Sequence, residues 1–203
     1  RGIVRRNLIA THGQWTEEKY NDASHGALGN LVVGIVGYGG IARTVTRRFR
    51  NGFGSRVLAY EKITPREILE KDGVEPVDLE TLLKTADIIT LHARLCEETK
   101  HMIGEEEFRQ MKPNAVFINT ARAGLVDEQA LIKALQEGWI RGAGLDVYEK
   151  EPLPCDSPLL QMDNVTLMPH SAGITNDILK NSLKIIGSDL ERFLTGKALE
   201  HLA

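Results

Sequence analysis

The sequence predicts an α/β fold: a doubly wound parallel sheet with helices on both faces. Three observations carry this. Short runs rich in Val and Ile are apolar on both of their faces, as strands covered from two sides must be. Longer stretches of helical period alternate with them. The first strand passes into the first helix through a glycine-rich junction, VVGIVGYGGIARTV (32–45).

The elements follow in order. LVVGIVG (31–37) reads as a strand and Ile41–Asn51 as a helix. RVLAY (56–60) is the next strand, and Pro65 opens a short helix, PREILEK, because its missing N–H costs nothing in a first turn. LETLLKT (79–85) reads as a helix and DIITLH (87–92) as a strand. GEEEFRQM (104–111) is a helix stopped by Pro113. AVFINTA (115–121) is a strand. DEQALIKALQEG (127–138) is a helix with Asp127 as N-cap and an acidic first turn that suits the macrodipole. GAGLDVY (142–148) and NVTLMPH (164–170) are further strands, and 176–196 is a long closing helix. Residues 1–29 have weak periodicity and read as an arm or linker, 30–175 as the sheet domain, and 176–203 as a C-terminal helix leading out of it.

Composition narrows the function. The 203 residues are 42 % hydrophobic and 26 % charged, an ordinary globular balance for one large domain or one and a half. Net charge is −3 with no long basic run, which disfavours sequence-independent nucleic-acid binding. No apolar run reaches the roughly 18 residues of a membrane span, and no signal peptide is visible. Cys96 and Cys155 have neither metal nor redox spacing, so free thiols in a reducing cytoplasm are expected. The remaining histidines (His12, His25, His92, His101 and His201) show no metal-binding spacing, and no metal is expected.

The glycine junction reads as G-x-G-x-x-G/A through Gly37, Gly39 and Ala42. Gly37 permits the tight turn, Gly39 lets backbone approach a pyrophosphate, and Ala42 is small enough for close helix–strand packing. The helix from about Gly40 aims its N–H groups and dipole at the phosphates. Glycines at any strand–helix turn can produce this pattern, so context decides. An acidic residue ending the second strand about 20 residues on would hold the ribose hydroxyls. Glu61 ends RVLAYE. A solvated strand-end charge is the plainer reading of Glu61 alone; the two features together favour dinucleotide binding.

Ligands of open parallel sheets bind beyond the carboxyl ends of the strands. Arg122 follows AVFINTA, Glu149 and Glu151 follow GAGLDVY, and NVTLMP runs into His170. Asp146 is a carboxylate read inside an apolar strand, where it needs a dedicated partner. Hydride chemistry on a hydroxyl needs a base, and His titrates in the right range. A neighbouring carboxylate would stabilise the imidazolium, and a guanidinium would hold a carboxylate and polarise a carbonyl. Taken singly, Arg122 reads as a surface salt-bridge partner and Glu151 and His170 as loop residues. Together at one edge they read as a redox site.

GIVGYGGIA, MKPNAVFINTARAGLVDEQAL, GAGLDVYEKEP and DNVTLMPHSAG closely resemble the D-isomer-specific 2-hydroxyacid dehydrogenases, the group of phosphoglycerate, glycerate/glyoxylate and D-lactate dehydrogenases. The resemblance implies a Rossmann-type NAD-binding domain. It implies that Arg122 binds the substrate carboxylate and carbonyl, His170 is the acid/base and Glu151 its partner. Asp146 would orient the nicotinamide. Gly40, Ile41, Glu61, Thr120, Ala121, Ala172 and Gly173 would contact NAD, with Ala93, Arg94 and Thr99 on the adenine side. The arm resembles the segment through which family members pair, so a cytoplasmic homodimer is expected. Arg94 stands where the family usually has proline, and Ala42 replaces the third glycine. Formate dehydrogenases of the superfamily carry glutamine at the position of Glu151, which disfavours formate. The resemblance also implies a smaller substrate domain that these 203 residues lack, so the chain is expected to be a fragment, a separate domain or the ordered part of a longer protein, one that binds dinucleotide but turns over substrate poorly or not at all. An NAD(H)-sensing corepressor-like module and a non-catalytic dimerisation domain are the alternatives.

Overall fold

The computed structural model describes residues 3–16 and 26–200, in two compact units, Arg1–Pro169 and His170–Ala203. The arm read over 1–29 falls partly outside the described residues, as do His25 and His201.

The first unit carries a seven-stranded sheet in the order β3-β2-β1-β4-β5-β6-β7, every pair parallel. The strands are β1 (Val32–Val36), β2 (Arg56–Tyr60), β3 (Glu75–Pro76), β4 (Ile88–Leu91), β5 (Val116–Asn119), β6 (Gly142–Leu145) and β7 (Val165–Leu167). The helices are α1 (Ile3–Thr11), α2 (Gly40–Arg48), α3 (Arg66–Lys71), α4 (Leu79–Thr85), α5 (Glu105–Gln110) and α6 (Glu128–Gln136), with α7 (Ile178–Leu194) in the second unit. Asp127 caps α6 as expected, its carboxylate accepting from the N–H groups of Gln129 and Ala130.

Side-chain alternation along β1 explains why the sheet is covered twice. Val33 and Ile35 enter one buried cluster with Ala42, Val57 and Leu69. Val36 enters the other, with Leu82, Leu91, Phe108 and Phe117. Gly34 lies on the face of Leu82 and Ala86, where a Cβ would come within 2.6 Å of Leu82 Cδ2 and 2.8 Å of Ala86 Cβ. That glycine is there for helix–strand packing.

Several sequence expectations are corrected. The helix expected over Ile41–Asn51 ends at Arg48 and widens into a five-residue π turn, Phe49–Phe53, closed by Gly54 in the left-handed region. Ser55 then donates to Leu28 O at 2.8 Å as the chain re-enters the sheet. Within the segment read as an arm or linker of weak periodicity, residues 3–11 form α1. The edge strand β3 carries no sequence signal, being two residues long and ending in a proline that only an edge tolerates. Strands β5, β6 and β7 stop earlier than read, because the residues beyond leave the ladder to build loops. Asp146 accordingly follows β6 instead of lying inside it.

The second unit contains α7, closed by Gly196 at φ 69 and by Arg192, which pairs with Glu200 at 2.7 Å. No helix among the described residues is long and apolar enough to cross a membrane.

Candidate functional site

Because every strand is parallel, the loops that follow them share one edge of the sheet. Across that edge the order is Glu61 after β2, the glycine turn after β1, Ala93 and Arg94 after β4, Thr120–Arg122 after β5, and Asp146–Glu151 after β6.

The glycine turn is tightly specified at its first position. Gly37 has φ 87, and a Cβ there would sit 2.4 Å from Ala93 N. Both conformation and space exclude a side chain. At Gly39 and Gly40 the opposite holds: a Cβ would meet nothing within 4 Å. The surface above them is open and backbone-only, which is the cradle a pyrophosphate requires. The first bond of α2 runs from Arg43 N to Gly39 O, so the N–H groups of Gly40, Ile41 and Ala42 precede the helical ladder and point toward this opening. Ala42 is fully buried under the turn. These residues fit a dinucleotide.

Glu61 is half-buried, and its carboxylate accepts from backbone N–H groups of Tyr38, Ile63 and Thr64. Partial burial pushes its pKa up, but these donors outweigh burial and hold it below the usual carboxylate range. Lys62 sits 5.9 Å over the Tyr60 ring. After β4, Thr99 Oγ1 donates to Arg94 O at 2.7 Å and accepts from Cys96 N at 2.9 Å, setting the shape of the 94–99 loop and leaving Arg94 exposed. His92, just before it, lies 3.1 Å from Thr90 Oγ1, and burial lowers its pKa.

Sequence reading missed the group that shapes the Arg122 loop. Asn119 ends β5 and is 2 % exposed. Its Nδ2 donates to Arg122 O at 3.0 Å and its Oδ1 accepts from Ala121 N at 3.0 Å. The available signal was a polar residue closing the apolar run VFIN. Arg122 is exposed, with Nη1 on Ala121 O at 2.6 Å. Asp146 is 3 % exposed and its N–H donates to Asn119 O, so β5 and β6 deliver their loops in register.

Tyr148 was also missed as more than a strand residue. Its hydroxyl lies 2.8 Å from Met168 O and 3.1 Å from Leu145 O, and accepts from Met168 N at 3.2 Å. Burial raises its pKa, so it stays a neutral hydroxyl. It staples the end of β6 to the end of β7. Glu151 Oε1 accepts from Tyr148 N at 3.1 Å. His170 opens the second unit, three residues after β7, in the left-handed region at φ 51. Ala172 and Gly173 are exposed in the same unit. Among the described residues no group of three or more His, Cys, Asp or Glu is placed to hold a metal ion.

Comparison with known proteins places the chain in a family. The family model "D-isomer specific 2-hydroxyacid dehydrogenase, NAD binding domain" matches residues 1–172. A glyoxylate reductase of Korarchaeum cryptofilum is 49 % identical over 166 residues, covering 81 % of this chain and 49 % of that protein. The chain thus spans about half of that relative's length. The crystal structure of D-lactate dehydrogenase with NAD+ from Lactobacillus jensenii superposes with a TM-score of 0.83 at 33 % identity, over 100 % of this chain and 64 % of the other. An acyclic imino acid reductase in complex with NADPH gives 0.86 at 29 % identity, over 100 % of this chain and 63 % of that one. With a cofactor turn of the required shape and a family match over most of its length, the chain belongs to the D-isomer specific 2-hydroxyacid dehydrogenases, as their NAD-binding domain.

Proposed function

We propose that this chain is the cofactor-binding part of an NAD(H)-dependent reductase of small 2-oxo acids, glyoxylate foremost, with Arg122, Glu151 and His170 carrying the chemistry. The observation that supports it most is the order of loops along the sheet edge. The open glycine turn and Glu61 lie toward β1 and β2, while Arg122 and Glu151 follow β5 and β6. A nicotinamide bound outward from the turn would therefore extend toward them.

A bound reduced nicotinamide would supply the hydride. Arg122 is exposed and its loop is braced by Asn119, so its guanidinium is available to a carboxylate and the adjacent carbonyl oxygen. His170 delivers a proton to that oxygen as it gains charge, and takes it back in the oxidative direction. Glu151 is assigned to orient His170 and stabilise its imidazolium. A non-glycine residue at φ 51 costs on the order of 1 kcal/mol or more, and such conformations concentrate at reacting positions. Asp146 is assigned to orient the nicotinamide. Pairing of two chains to a homodimer belongs to the same reading.

The test uses the whole protein, NADH absorbance and a panel of glyoxylate, hydroxypyruvate and bulkier 2-oxo acids. Glyoxylate is expected to turn over fastest. His170→Ala is expected to cut turnover by roughly a hundredfold or more while NADH affinity stays within about twofold. Equal loss of both would give His170 a structural role. No turnover of any 2-oxo acid would overturn the assignment.

A further inference from the structure

The acid that follows β2 is spent on the chain itself. Glu61 Oε2 accepts the N–H of Tyr38, the residue between Gly37 and Gly39. Oε1 accepts the N–H of Ile63 at 2.6 Å and of Thr64 at 3.2 Å. The Thr64 hydroxyl returns to Tyr38 O at 3.1 Å. Segment 61–64 therefore grips both backbone groups of Tyr38. From the other side the buried Tyr38 ring places its hydroxyl 3.3 Å from Asp72 Oδ2, and Asp72 holds Arg43 of α2 at 2.7 Å and 3.2 Å.

We propose that Glu61 is a positioning residue for the pyrophosphate turn as well as an acceptor for the cofactor's ribose, so that one carboxylate couples the two subsites. The proposal rests on the reading of this edge as a dinucleotide site. Its physical basis is the mobility of glycine. The segment from Gly37 to Gly40 contains three glycines, and such backbone must be ordered before its N–H groups can receive phosphates. Bonds that order it beforehand remove that cost from binding. A carboxylate offers about four acceptor positions; the N–H groups of Tyr38, Ile63 and Thr64 bond to Glu61 and that of Lys62 also stabilises it, so a ribose hydroxyl would share these oxygens with the backbone. Charge-assisted bonds of this kind are roughly twice as strong as neutral ones.

An acid that only reads ribose behaves differently. Its removal weakens only ligands that carry ribose hydroxyls. For a phosphate ligand lacking them, its removal strengthens binding by relieving like-charge repulsion.

The experiment is calorimetric titration of the 203-residue chain and its variants with ADP and with 2′,3′-dideoxy-ADP. Glu61→Ala is expected to weaken 2′,3′-dideoxy-ADP on the order of tenfold. Glu61→Gln keeps a side-chain oxygen for the Tyr38 N–H but turns an NH2 donor toward the N–H groups of Ile63 and Thr64, and is expected to recover only part of that loss. Hydrogen exchange at the Tyr38 amide should accelerate in Glu61→Ala and stay protected in Glu61→Gln, with Ile35 and Val57 protected in both. Thr64→Val keeps the carboxylate and removes the other grip on Tyr38. It is expected to weaken both nucleotides by the same factor, and it decides the matter should Glu61→Ala lose Ile35 protection and so fail to fold. Unchanged or tighter binding of 2′,3′-dideoxy-ADP by Glu61→Ala, or unchanged binding of both nucleotides by Thr64→Val, overturns the coupling while the dinucleotide site stands. Failure of the wild type to bind either nucleotide overturns the site and this proposal with it.

Discussion

The side-chain amide of Asn119 brackets the loop that carries Arg122, donating to Arg122 O and accepting from Ala121 N, both at 3.0 Å. A buried polar side chain thereby converts the end of an apolar strand into a fixed platform. Asn119→Ala leaves an N–H and a C=O to find other partners, at a cost of about 1–3 kcal/mol. In the whole protein we expect it to raise KM for the 2-oxo acid severalfold while KM for NADH changes little. Steady-state kinetics with each substrate varied checks this, and an equal rise in both would show that Asn119 supports the sheet rather than Arg122.

Glu61 also bears on cofactor choice. Its carboxyl is held below the usual range by backbone donors, those of Ile63, Tyr38 and Thr64 foremost, so it is charged at neutral pH and would meet a 2′-phosphate bound there as a like charge. Such juxtaposition costs several kcal/mol where water is scarce, so NADH should bind at least tenfold more tightly than NADPH. Two cations oppose this: Lys62, which sits over the Tyr60 ring, and Arg94, which is exposed after β4. Glu61→Ala should narrow the preference even as it weakens both cofactors. Fluorescence titration with the two reduced cofactors decides, and tighter NADPH binding by the wild type would reverse the assignment.

Gly37→Ala combines a positive φ with a Cβ 2.4 Å from Ala93 N. Strain and overpacking together should cost about 2–5 kcal/mol and abolish measurable NADH binding. Gly39→Ala meets nothing within 4 Å in the chain, so it should leave stability within about 1 kcal/mol yet weaken NADH. Thermal unfolding beside cofactor titration separates the two. Equal destabilisation by both would mean that the opening above Gly39 is not there for a ligand.

Asp87 governs acid stability in part. It joins the starts of two strands, accepting from Val32 N at 2.8 Å and from Lys112 Nζ at 2.9 Å. Burial alone would raise its pKa, but the Val32 N–H and the Lys112 ammonium outweigh it and hold the carboxyl low. A depressed folded-state pKa contributes stability in full above the unfolded value, near 4, and loses it as pH falls through the lower folded value. Asp87→Asn should cost about 1–2 kcal/mol at pH 7 and flatten the fall in stability below about pH 4. Urea unfolding at pH 7 and pH 3 measures both, and an unchanged acid slope would remove Asp87 from the account.

Much of this protein is decided by local pattern. Short continuous runs of Val and Ile, apolar on both faces, specify buried parallel strands, so β1, β2 and β4 were legible within a residue or two. Asp127 and Pro65 announced their helices because caps are local chemistry. The glycine turn was legible because Gly37 alone satisfies a positive φ against Ala93. What only the tertiary structure decided are the relations between loops distant in sequence. Tyr38 reads as one more apolar residue until Glu61, Thr64 and Asp72 close on it. Tyr148 reads as a strand residue until its hydroxyl meets Met168. β3 is defined by its pairing with β2, Glu75 beside Leu58 and Pro76 beside Ala59, with the Val77 N–H donating to Ala59 O. A hydrogen bond between residues 20 or more apart leaves no periodicity behind, because either partner alone is compatible with many folds. Only the chain brought into register selects the one in which both are satisfied.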